Sequence, residues 1–219
     1  MKIEIWSDVM CPFCYIGKRN LEKAMEQFTD KNQIEIIWKS FQLDPSAPEV
    51  SSESMKDYLV KTKGMSHYQV DEMLESVTQT ASAAGLDYHF EKAVMANSQN
   101  AHRLIQFAKT KNLGNEIEER LFYAYFTEGK NIADTETLTE LGKDIGLDET
   151  EVQTALTNEE YHQLMQEDIR EARILGVTGV PFFVFDRKYA ISGAQPVQTF
   201  LSTLTKSFSE WQEKPGSTR

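Results

Sequence analysis

Sulfur nucleophiles are scarce in this chain: its 219 residues include two cysteines, Cys11 and Cys14, too few for a fold stapled by several disulfides. Histidine is nearly as sparse. His67, His89, His102 and His162 show no paired-ligand spacing, so a zinc ion held by the two thiols would lack its other ligands, and no metal is expected. Basic clusters are missing as well, and a net charge of -11 repels a phosphate backbone, which excludes nucleic acid as a partner. No apolar run approaches the roughly 20 residues that a membrane span requires, so no membrane partner is expected. Met1-Lys2 leads directly into a strand-like run rather than a secretory signal, and the expected location is therefore cytoplasmic. There is no internal repeat and no low-complexity linker.

What the chain does have is both cysteines two residues apart, in Cys11-Pro12-Phe13-Cys14, just after the alternating run Ile3-Glu4-Ile5-Trp6. Apolar residues at Ile16, Leu21, Ala24, Met25 and Phe28 continue one helical face. Pro12 suits the first turn, and Gly17 reads as a tolerable flaw in the helix. Cys11 is thus placed at a helix N-terminus, where unpaired N–H groups and the helix dipole favour thiolate over thiol. Cys14, one turn on, lies on the same side and suits a resolving thiol that attacks a mixed disulfide. In a reducing compartment such a pair is expected to be catalytic; the competing readings are half of a zinc site or two inert core thiols.

Gln33 to Phe41 reads as a second strand, completing a βαβ unit whose right-handed crossover sets the two strands parallel. Pro45 and Pro48 mark the exit from the sheet. From Ser51 to about Leu175 the periodicity is helical, with Ser52, Ser66 and Asn158 as expected N-caps and Gly64, Gly85 and Gly176 as expected ends. Phe122, Tyr123, Tyr125 and Phe126 are expected mostly in the core. Strand signal resumes at Phe182-Phe183-Val184-Phe185 and returns through an Asp186-Arg187 turn to Lys188-Tyr189-Ala190-Ile191. A closing helix carries Val197, Phe200, Leu201, Leu204, Phe208 and Trp211, followed by a frayed polar tail from Lys214. The expected fold class is α/β, an outer domain of residues 1–48 and 176–214 interrupted by an all-helical insertion over 49–175.

Ser7-Asp8 before Cys11-Pro12-Phe13-Cys14-Tyr15-Ile16-Gly17, then Asn97 through Leu104, then Gly176-Val177-Thr178-Gly179-Val180-Pro181, together resemble the thioredoxin superfamily. The closer resemblance is to DsbA-like thiol-disulfide oxidoreductases of the FrnE type. It implies a thioredoxin fold, a redox-active Cys11–Cys14 pair with no tightly bound cofactor, and a cis peptide before Pro181 facing the cysteines. Val180 would then offer backbone groups to an extended substrate bearing a thiol or disulfide. Pro-Phe between the cysteines departs from the Pro-His of periplasmic DsbA, so Cys11 is expected to be less acidic than in that relative. The distal cysteine pair of some FrnE-type proteins is absent. Kappa-class glutathione transferases and 2-hydroxychromene-2-carboxylate isomerases share the scaffold but resemble it with serine where this chain has Cys11. A glutathione-dependent isomerase or transferase, with glutathione as cosubstrate, is therefore the alternative function.

Four further residues are candidates. Asp8 is placed to move protons or bias the thiolate, against a capping role; His102 either lines the cleft or is a structural helix histidine. Met10 and Phe13 flank the thiols as a candidate apolar landing surface, against ordinary packing.

Overall fold

Alternation along the first strand assigns its side chains to two faces, and each face receives its own cover of helices. The structure, a computed structural model, describes residues 1–48 and 54–213. Strand β1 (Lys2–Ser7) pairs parallel with β2 (Glu35–Ser40), Ile3 opposite Ile36 and Ile5 opposite Trp38. On its other side β1 runs antiparallel to β3 (Phe182–Phe185), which turns back into β4 (Tyr189–Ser192), giving the order β2-β1-β3-β4. The turn residues Asp186 and Arg187 both take positive φ, 51° and 55°, the conformation whose twist suits a tight hairpin.

Ile3 and Ile5 face the same side as their cross-strand partners Phe185 and Phe183. That side is covered by α1 (Pro12–Glu26) and α9 (Val197–Gln212), with the Phe200 ring edge-on to Phe183 at 4.7 Å. Trp6 and Val184 point the other way and pack with Val177 and with Ala172 of α8 (Glu159–Ile174). On this second face a polar hub sits where α8 meets the sheet. The Asp168 carboxylate accepts from Ser40 N at 3.0 Å, Gln106 Nε2 at 2.7 Å and Lys39 Nζ at 2.8 Å, while its carbonyl accepts from Trp6 Nε1 at 2.9 Å. A buried carboxylate is tolerated when partners of this kind replace its water.

Between β2 and β3 the regular elements of the described residues are helices: α2 (Met55–Lys63), α3 (His67–Ala84), α4 (Gln99–Thr110), α5 (Gly114–Tyr123), α6 (Thr135–Asp144), α7 (Glu149–Thr157) and α8. Ser66 caps α3 in a reciprocal capping box with Gln69, and Asn158 caps α8, as their sequences imply. Ser54 caps α2; the expected cap, Ser52, lies outside the described residues, as does the polar tail from Lys214. After α5 the chain widens from α-helical to π-helical, Ala124–Glu128 forming one π-helical turn. Phe122, Tyr125 and Phe126 are fully buried, whereas Tyr123 is exposed. The main apolar cluster runs without a break from the sheet, through Ile3, Ile5 and Phe183, into Leu104, Leu121 and Phe122 of the helices.

Candidate active site

Cys11 is the N-cap of α1, with φ −89° and ψ 110°, and Pro12 opens the helix behind it. Its amide donates to Asp8 O at 2.9 Å, and the Cys14 amide donates to Cys11 O at 3.0 Å, which fixes the turn that carries both thiols. Across from them the Cys11 thiol donates to Val180 O at 3.4 Å, beside a cis peptide between Val180 and Pro181. The two thiols are unbridged. Both thiols are buried, Cys11 at 4% and Cys14 at 1% exposed; burial raises the Cys14 thiol pKa well above the ordinary value, with Cys11 reinforcing the effect and the Asp8 amide and Ser7 side chain opposing it.

The other candidates separate clearly. Phe13 is 43% exposed and Val180 is half-buried, whereas Pro181 beside it is buried, so of these three residues Phe13 alone is broadly open at the surface. Met10, by contrast, is 8% exposed and belongs to the core rather than to an open groove. Asp8 is fully buried and its carboxylate is occupied by two amides, Met10 N at 3.2 Å and Leu43 N at 2.7 Å. It thereby ties the segment leading into Cys11 to the segment leaving β2. His102 does not line a cleft: it is 1% exposed on α4, its Nε2 is 3.5 Å from Asp8 Oδ1, and neither ring nitrogen has a hydrogen-bond partner among the described residues.

Two residues with a bearing on this site escape a reading of the sequence as periodicity and motif. Gly17 is not merely tolerated: a Cβ there would lie 3.0 Å from Phe183 Cζ and 3.1 Å from Pro181 Cγ, so its absence lets α1 close onto β3 and Pro181. Glu118 stands on the apolar face of α5 with Ile117, Leu121 and Phe122, and that placement is the signal that could have found it. It is completely buried, and its carboxyl pKa is pushed up to about 7. Burial is the main cause and the Asp8 charge adds to it, while His102, Lys18 and Lys109 pull the other way. Below this interior, Lys18 is held between Glu22 at 2.5 Å and Glu119 at 2.6 Å, and Tyr15 donates to Glu119 at 2.6 Å, locking α1 to α5.

Among the described residues no cluster of three His, Cys, Asp or Glu side chains is arranged to hold a metal ion, and no helix is long and apolar enough to cross a membrane. The arrangement is suited to thiol chemistry: one sulfur at a helix start facing the Val180 carbonyl, and a second sulfur beside it.

Comparison with known proteins agrees with this geometry. The Bacillus subtilis (strain 168) protein YwbO, itself uncharacterized, is 29% identical over 217 residues, covering 97% of this chain and 98% of its own. The crystal structure of the "probable DsbA oxidoreductase SCO1869" of Streptomyces coelicolor is 34% identical with a TM-score of 0.91, over 100% of this chain and 93% of that one. The cytosolic disulfide reductase DsbM of Pseudomonas aeruginosa shares the fold, with a TM-score of 0.65 at 17% identity, over 97% of this chain and 98% of that one. Residues 2–205 match the model of the DSBA-like thioredoxin domain, and with the β2-β1-β3-β4 sheet and the paired thiols in place, the chain belongs to that family.

Proposed function

We propose that this protein is a cytoplasmic thiol-disulfide oxidoreductase that works through the Cys11–Cys14 dithiol. The observation that carries the reading is the placement of the Cys11 sulfur at the start of α1, 3.4 Å from the Val180 carbonyl, with the Cys14 thiol beside it and both sulfurs unbridged. Cys11 attacks one sulfur of a substrate disulfide; a Cys11–substrate S–S bond forms, the substrate S–S bond breaks, and the departing thiolate takes up a proton. Cys14 then loses its proton and attacks Cys11 Sγ, forming the Cys11–Cys14 disulfide and expelling the second substrate thiolate. The substrate gains two electrons and the protein loses two. Val180 and Pro181 line the groove in which an extended substrate segment lies, and Phe13 offers it apolar contact. No tightly bound cofactor takes part.

The experiment is reduction of insulin or a small disulfide by wild type and Cys14→Ser. Dithiol exchange needs the second sulfur, so the variant is expected to stop after one event and to retain a covalent partner on Cys11, identified by mass spectrometry. In the alternative reading, a glutathione-dependent isomerase or transferase, the cosubstrate brings its own thiol and Cys14→Ser retains activity. Tight glutathione binding by a wild type that exchanges no disulfide would replace the oxidoreductase reading with that one.

A further inference from the structure

The helices inserted between β2 and β3 send one hydroxyl into the dithiol turn. Tyr88, in the irregular segment after α3, is 4% exposed and donates from its hydroxyl to Pro12 O at 2.7 Å, the carbonyl between the two cysteines. Its ring is held on several sides: stacked on Phe126 at 4.6 Å and on Tyr15 at 6.2 Å, and edge-on to Phe90 at 5.5 Å. The segment that carries it is anchored to the π-helical turn. His89 N donates to Phe126 O at 2.7 Å and Thr127 Oγ1 to Asp87 O at 2.7 Å, and Gly129, at φ 71°, leaves no room for a Cβ, which would lie 2.5 Å from Lys92 Cβ. A π-helical turn displaces the side chains that follow it relative to a regular helix. Here it presents Phe126 to the Tyr88 ring.

We infer that Tyr88 is a positioning residue for thiol exchange, holding the Pro12 carbonyl so that Cys14 stays aligned with Cys11 Sγ for the resolving attack. The inference rests on the oxidoreductase reading above. A disulfide closes only when its Cα atoms lie about 4.4–6.8 Å apart with the sulfurs correctly turned, so freedom in a four-residue turn carrying both sulfurs is a direct cost to the second step. The first attack, by Cys11 on an external disulfide, makes no such demand on Cys14. Consistent with the hydroxyl lying beside the sulfurs, the Tyr88 phenol pKa is raised, chiefly by burial and then by the charges of Cys11, Tyr15 and Cys14, so it remains a donor throughout.

The test is Tyr88→Phe, which removes the hydroxyl and keeps the ring stack. Reduced protein is mixed rapidly with a chromogenic aromatic disulfide, and release of the first and second aromatic thiols is timed separately. With one neutral hydrogen bond removed, the second release is expected to slow about three- to tenfold while the first stays within twofold. Equal rates for the second release in variant and wild type, or equal slowing of both phases, would overturn the inference. If Tyr88→Phe does not fold, Phe126→Leu, which loosens the ring beneath the hydroxyl, is read by the same two-phase criterion. A wild type that releases the first thiol but never the second would instead strike at the dithiol mechanism itself, so the two failures are distinguishable.

Discussion

Replacing Glu118 with glutamine should make the protein more stable at neutral and alkaline pH and leave it nearly unchanged in acid. Glu118 is enclosed by α5 and its neighbours, one carboxylate oxygen has no hydrogen-bond partner among the described residues, and burial pushes its pKa up to about 7. An unfolded glutamate titrates near 4.3, so the folded chain holds this proton more tightly by a difference equivalent to about 4 kcal/mol. That contribution is complete below pH ~4.3 and is lost as pH rises through about 7, where the folded protein must carry a charge in its interior. Glutamine carries no charge at any pH. The stability of Glu118→Gln minus that of wild type should therefore be below about 1 kcal/mol at pH 4.5 and rise toward about 4 kcal/mol at pH 8. Urea unfolding at intervals of half a pH unit measures it. Carboxylates whose pKa is lowered, such as Glu119, where Lys18 and Arg19 outweigh the cost of burial, give both proteins the opposite slope, stability being lost as pH falls, and so cancel in the difference. A difference that is flat across this range, or that shrinks as pH rises, would refute the reasoning.

Gly17→Val should cost about 2 kcal/mol in chemical denaturation, because the added methyl groups meet Phe183 and Pro181 where even a Cβ has only 3.0–3.1 Å, and the higher helix propensity of valine recovers only part of that; a variant as stable as wild type would show that α1 can retreat freely. Asp168→Ala leaves Ser40 N, Gln106 Nε2 and Lys39 Nζ without their shared acceptor and should lower stability by about 3–5 kcal/mol; a loss below about 1 kcal/mol would show that water substitutes for it.

The sequence reveals most where its signal is local. Cys11 at a helix start, the parallel β1–β2 pair, the caps at Ser66 and Asn158 and the β3–β4 hairpin all follow from spacing, periodicity and turn chemistry within a few residues. Hidden features depend on partners far along the chain. Asp168 looks like one more acidic residue on a charged helix, yet it bonds to Ser40 and Gln106. Tyr88 lies in a segment without periodicity and finds Pro12 only because the helices bring it there. Gly17 reads as a weakness in α1 until β3 is laid against it. His102 fails as a cleft residue because the α4 face that carries it turns inward to Asp8, a choice that helical periodicity alone does not make.

The pairing of β1 with β3 joins Ile3 to Phe185, and this has a consequence during synthesis of the chain. The strand leading to Cys11 leaves the ribosome some 170 residues ahead of Val180 and the hairpin that completes its sheet. At translation rates of about 5–20 residues per second, that interval lasts roughly 10–30 s. Throughout it one edge of β1 is unpaired, and both thiols are out of the chain without the carbonyl that later faces them. On the proposed function, a nascent chain thus carries the reactive sulfur pair before the Val180-Pro181 segment that would select its disulfide partners.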